Sequence, residues 1–114
     1  MLTIETLKEF GADTDDGVAR CFGNNDFYLK LVRTVPDEKS FDQLSDAVAA
    51  GDLDTAFDMA HALKGVLANL SLTPIRKPVE EITEQLRSRA QMDYSELLSE
   101  ITKQRELLRE LCQE

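Results

Sequence analysis

Apolar residues in this chain recur every three or four positions almost from end to end, and nowhere do they alternate for long. That spacing collects them on one face of a helix, whereas a half-buried strand requires period two. The pattern breaks at residues that end or begin helices. The stretch "DTDDGVARCFG" reads as a short helix closed by Gly23. After Asn24 and Asn25, Phe27/Tyr28, Leu31/Val32 and Val35 follow one face up to Pro36. Proline disfavours helix in the residue before it and suits the start of the next one. Asp37 and Glu38 are then expected in a first turn, where the helix dipole favours acids. Phe41, Leu44 and Val48 form the following stripe, with Gly51 as its C-cap.

Asp52 is a good N-cap for a helix running to about residue 71, with Leu53, Ala56, Ala60, Leu63, Leu67 and Leu70 on one side. Thr73-Pro74 predicts a restart with threonine as N-cap and proline at the first helical position, followed by Ile75, Val79, Ile82 and Leu86. Asp93 and Glu96 resemble a capping box opening a last helix through Tyr94, Leu97, Leu98, Ile101, Leu108 and Leu111. Arg105 interrupts that stripe, where the helix is expected to leave the core. Four helices are long and amphipathic, and links of a few residues make sequential neighbours antiparallel. The predicted fold is all-α: an antiparallel up-and-down four-helix bundle with one or two short extra N-terminal helices. One domain is expected over 1–114, with short helices in about 1–35 and the bundle core in about 24–112.

A length of 114 residues suits one core, and 42% hydrophobic with 31% charged residues describes a soluble globular chain. No run of about 18 apolar residues is present, so no membrane span is expected. "MLTIETLKEF" carries acids where a signal peptide needs a basic start, making the cytoplasm the default expectation. A net charge of −9 argues against nucleic acid as partner. That charge is lopsided: residues 1–60 hold 13 acids and 5 bases, residues 61–114 hold 9 acids and 8 bases. Cys21 and Cys112 form no CxxC pair, so their spacing argues against zinc, and reduced thiols are expected.

The only histidine sits where the acidic half ends, in Ala60-His61-Ala62-Leu63-Lys64-Gly65, "AHALKG". A glycine within a helix costs about 1 kcal/mol relative to alanine, so Gly65 needs an offsetting reason. At about 100° per residue, the apolar set centres roughly 140° from His61, which therefore faces solvent. Phe57 and Ala68 share its face, with Lys64 to one side and Gly65 and Asp58 to the other. A lone surface histidine usually has no task. A metal role lacks a second ligand at helical spacing, and a Ser-His-Asp arrangement lacks a nucleophile elbow. The combination of residues points elsewhere. An imidazole that exchanges a phosphoryl group needs an exposed nitrogen lone pair, and the incoming negative charge benefits from an ammonium nearby. In-line transfer from a second protein also needs small residues around the nitrogen. His61 supplies the nucleophile, Lys64 the charge, Gly65 and Ala68 the clearance.

"AHALKG" resembles the signature of histidine-containing phosphotransfer (HPt) domains: His, an aliphatic residue two later, Lys at the third position and Gly at the fourth. A looser likeness extends over about residues 14–112, through "GVARCFGNNDFYLKLV" and "AAGDLDTAFDMAH". The resemblance implies a phosphorelay intermediate. His61 would accept a phosphoryl group from an aspartate on a response-regulator receiver domain and pass it to another receiver. Lys64 and Gly65 would form the phosphate environment, and Phe57, Asp58 and Ala68 the docking surface. No cofactor is expected on this chain; Mg²⁺ is expected in the partner receiver, and a hybrid histidine kinase is a further partner the likeness suggests. Two positions depart from the family pattern. Leu67 stands six after the histidine, where a small residue or serine is usual, and Ser71 stands ten after, where glycine is common. Leu67 is expected to face the core.

Two other readings stand beside the phosphocarrier. One is an adaptor bundle that docks receivers without carrying phosphate, although an adaptor has no need of both His61 and Lys64. The other is an enzyme, such as the dimerisation part of a sensor kinase. Such helices typically place an acid directly after the histidine, where this chain has Ala62, and no Gly-rich ATP-binding segment is present. Met1 suggests a complete small protein or a trimmed one, and the related domain at the front of chemotaxis kinases is a further alternative. An outward-facing phosphoacceptor on a closed bundle suits a monomer.

Overall fold

Side-chain caps divide the chain into helices in a computed structural model that describes residues 1–113. Thr3 and Thr6 cap α1 (Ile4–Phe10) reciprocally, the Thr6 amide donating to Thr3 Oγ1 at 3.0 Å and the Thr3 amide to Thr6 Oγ1 at 2.9 Å. Asp13 caps α2 (Thr14–Arg20), and Asn24 accepts from the Phe27 amide at 3.0 Å to cap α3 (Asn25–Thr34). A 3-10 turn (Val35–Asp37) then leads into α4 (Ser40–Ala49). Asp52, accepting from the Thr55 amide at 3.1 Å, starts α5 (Leu53–Asn69), followed by α6 (Thr73–Arg87) and α7 (Ser95–Cys112).

The bundle is α4 to α7. α5 packs between α4 and α6, and α7 lies along α6 and reaches back to α1 and the 3-10 turn. Ala56, Ala60, Leu63 and Leu67 of α5 face Ile75, Val79, Ile82 and Leu86 of α6, all buried. Leu67 faces the core as expected. The two short extra helices are α1 and α2. The Tyr28 ring of α3 plugs the junction beside them, fully buried, with its hydroxyl donating to the Leu70 carbonyl at 2.7 Å. Burial pushes the Tyr28 phenol far above its ordinary range, so it stays a donor. Gly17 of α2 is required by that ring: a Cβ there would stand 2.4 Å from a Tyr28 ring carbon.

Several boundaries differ from the periodicity reading. Pro36 opens the 3-10 turn and not α4, because Glu38 is extended; its carboxylate then accepts from the Ser40 amide. Thr73 is already helical and makes no cap bond, leaving Leu72 as the N-cap of α6 with Pro74 within the first turn. Asp93 and Glu96 form no capping box; Asp93 Oδ1 accepts from the Ser95 amide at 2.9 Å, one residue before the expected partner. Phe27 is 40% exposed, whereas Tyr28, Val32 and Val35 carry the buried face of that segment. Arg105 does not mark departure from the core. Its guanidinium lies 4.8 Å from the Phe41 ring centroid and donates to the Pro36 carbonyl at 2.8 Å and Asp42 Oδ1 at 2.9 Å, tying α7 to α4.

Four helices end by one device, α1 among them, where Gly11 (φ 113°) donates to the Lys8 carbonyl and Ala12 to that of Leu7. At the end of α4, Gly51 (φ 72°) donates to the Val48 carbonyl and Asp52 to that of Ala47, the paired bonds of a Schellman motif. α5 ends with Ser71 (φ 54°) donating to Ala68 and Leu72 to Leu67. α6 ends with Arg89 (φ 53°) donating to Leu86 and Ala90 to Gln85. Glycine fills the left-handed position after α1 and α4; serine and arginine fill it after α5 and α6, at about 1 kcal/mol of backbone strain each. Both strained residues use their side chains. The Ser71 hydroxyl donates to Asp16, fastening α2 to the α5–α6 turn.

No helix among the described residues is long and apolar enough to cross a membrane. Cys21 is buried and Cys112 half-buried, both as free thiols.

Candidate functional site

α5 presents two faces of opposite character. Ala60, Leu63 and Leu67 are buried, whereas His61, Ala62 and Gly65 between them are exposed. The helical period alone produces this split, since the apolar positions fall at i, i+3 and i+7 and leave His61 on the far side. Phe57, Lys64 and Ala68 are half-buried along the margins, and Asp58 is exposed. All six residues singled out from the sequence therefore lie on one outward strip of α5.

At Gly65, a built Cβ has no neighbouring atom within 4 Å, so packing within the chain gives no reason for a glycine. The space beside it is open to solvent one turn after His61. Lys64 enters none of the ion pairs among the described residues, leaving its ammonium unneutralised beside that opening. The Phe57 ring stacks on the His61 imidazole, with centroids 5.7 Å apart and planes inclined by 26°.

Two residues escape the sequence reading. Because α5 and α6 are antiparallel, the C-terminal end of α6 lies beside the N-terminal half of α5. Arg87 and Arg89 set their guanidinium carbons 5.2 and 5.0 Å from the Phe57 centroid. Arg89 Nε also donates to Asp54 Oδ1 at 2.6 Å, and Arg87 is 3.4 Å from Glu84. Both arginines are thus paired with acids, and Lys64 is the cation on this strip that enters no ion pair among the described residues. Only their position at the end of an antiparallel neighbour could have signalled these arginines. No group of three or more His, Cys, Asp or Glu side chains is arranged to hold a metal ion among the described residues.

The fold is an all-helical bundle whose α5 carries an exposed histidine, a half-buried lysine three residues on and an exposed glycine four residues on. A family model described as the Hpt domain matches residues 32–114, and the chain belongs to that family, whose members serve phosphotransfer in two-component systems as carriers and not as enzymes. No curated protein and no solved structure gives a significant match. The matched span covers α4 to α7 and leaves α1, α2 and most of α3 outside it.

Proposed function

We propose that this protein is a phosphorelay intermediate that takes a phosphoryl group onto His61 from a receiver-domain aspartate and delivers it to a second receiver. An imidazole nitrogen lone pair attacks the phosphorus of the aspartyl phosphate. The P–N bond forms as the P–O bond to the carboxylate breaks, and that electron pair leaves with the carboxylate. The proton on the other ring nitrogen stays with the ring. Delivery is the same exchange in reverse, onto the carboxylate of the next receiver. Lys64 offsets the phosphoryl charge, and Gly65 and Ala68 leave room for the receiver to approach in line. Phe57 and Asp58 border the docking strip. The receiver supplies the aspartate and the Mg²⁺ that balances the transferring oxygens. A hybrid histidine kinase carrying such a receiver is the natural upstream partner.

Open space at Gly65, directly beside an exposed His61, is the observation that carries this reading. A glycine kept mid-helix without a packing reason within the chain is explained by a partner that fills the space. The acidic charge disfavours nucleic acid as that partner, and a monomeric cytoplasmic protein fits the outward acceptor. The test is incubation with a receiver carrying aspartyl phosphate. An acid-labile, alkali-stable label on this chain supports the carrier; stable docking with no label would leave the adaptor reading in its place.

A further inference from the structure

We propose that Arg89 is a positioning residue for phosphoryl transfer, bracing Phe57 so that Phe57 sets the plane of the His61 imidazole. The proposal rests on the phosphocarrier reading. Its starting point is an arginine in a backbone conformation that favours glycine. Arg89 sits at φ 53° in the same hydrogen-bonded helix end that Gly51 occupies after α4, so glycine would close α6 with less strain.

What arginine adds there is a side chain held on several sides. Its Nη1 donates to the Leu86 carbonyl at 2.7 Å and to the Arg87 carbonyl at 3.2 Å. Its Nε donates to Asp54 on α5 at 2.6 Å. The guanidinium so anchored lies over the Phe57 ring. Asp54, Phe57 and His61 stand three and four residues apart, one above another along α5. The order of contact therefore runs from Arg89, anchored on Asp54, through Phe57 to the imidazole. A planar guanidinium suits both roles, forking to oxygens while stacking on an aromatic face. An exposed imidazole otherwise turns freely about its side-chain bonds, and in-line attack tolerates little misalignment. The pairing with Arg89 also neutralises Asp54, two turns before the phosphoacceptor.

The chain has one histidine, so its ring-proton NMR signals are unambiguous. In the wild type the Phe57 ring current should hold them upfield. Arg89→Gly relieves the strained backbone and keeps the helix end, so it should fold at least as well. We expect its His61 signals to move downfield and its transfer rate at saturating phosphorylated receiver to fall three- to tenfold, with receiver Kd within twofold. Asp54→Asn should move both readouts in the same direction, and Arg89→Lys should restore only part of each. Unmoved His61 signals, or a rise in Kd with an unchanged saturated rate, would overturn the proposal. If the wild type takes no label, the phosphocarrier reading fails, and the NMR comparison then decides the brace by itself.

Discussion

Ser71 holds Asp16 from 55 positions away in sequence, donating its hydroxyl to the carboxylate from a backbone twisted to φ 54°. Its own carbonyl accepts from the Asp13 amide at 3.0 Å. One residue therefore closes α5 and anchors α2, which explains a serine where the family commonly places glycine. Ser71→Ala keeps the strain and loses the hydroxyl bond, so its melting temperature should fall. Ser71→Gly loses the bond but also the strain, and should melt between alanine and wild type. Thermal melts of the three proteins check this order; a glycine variant less stable than alanine speaks against it.

The same contact shapes the response to acid. The Ser71 hydroxyl, then Arg20, holds the Asp16 carboxyl below its usual range. Asp42 is lowered by its bond from Arg105, Asp52 by Thr55 and Asp93 by Ser95. A carboxylate whose folded pKa lies below its unfolded one adds stability that is fully present above the unfolded value. That stability is lost as pH falls through the folded value. Melting temperature should thus be flat from pH 7 down to about 5 and decline progressively below, the unfolded carboxylates titrating near 3.9. Ser71→Ala should show a smaller decline. Loss of stability beginning above pH 6 would assign the acid sensitivity to other groups.

Gly65→Ala separates folding from function. With no atom near the new methyl, the substitution should raise stability by about 0.5–1 kcal/mol, the ordinary gain for alanine over glycine within a helix. Transfer from a phosphorylated receiver should slow, and Gly65→Val should slow it further. Parallel melts and transfer kinetics make the comparison. Full transfer by the valine variant would remove the docking explanation for this glycine.

Gly17→Ala is the opposite case. Its Cβ would meet the buried Tyr28 ring, and overpacking of this kind costs about 1–3 kcal/mol. Denaturant unfolding should register the loss, with His61 still exposed and transfer retained on the folded fraction. An unchanged midpoint would mean that α2 moves away from Tyr28 without cost.

Much of this was legible in local pattern. The period of α5 assigns Leu63 and Leu67 to the core and His61 and Gly65 to solvent, because burial on a helix is set by angle. Gly51, Asp52 and Asn24 mark helix ends by the chemistry of their own backbone neighbourhood. Some misses are local, such as the caps expected at Thr73 and Asp93; the others are contacts between distant segments. Arg105 interrupts an apolar stripe, yet it is held by Phe41, Asp42 and Pro36, which no spacing along α7 discloses. Arg87 and Arg89 reach Phe57 only because α6 runs antiparallel to α5. α1 was within reach, since Thr3, Thr6 and Gly11 mark both its ends, but its apolar stripe is too short to stand out.

Lys64 tests the electrostatics of transfer. Its ammonium has no partner among the described ion pairs, so its charge is available to the phosphoryl group. Lys64→Ala should slow transfer at saturating receiver about tenfold or more while changing receiver Kd little, because one charge matters most as phosphate charge develops. Rapid-quench kinetics alongside a binding isotherm distinguish the two effects. Equal losses in rate and affinity would make Lys64 a contact residue only.

The central claim is that His61 is an exposed phosphoacceptor with no part in holding the fold, and His61→Gln tests it most directly. Circular dichroism melts and labelling by a phosphorylated receiver would be run on the same preparations. The account predicts stability within about 0.5 kcal/mol of wild type, as for other surface substitutions, and complete loss of label. Label persisting on the glutamine variant, or a variant that no longer folds, would contradict it.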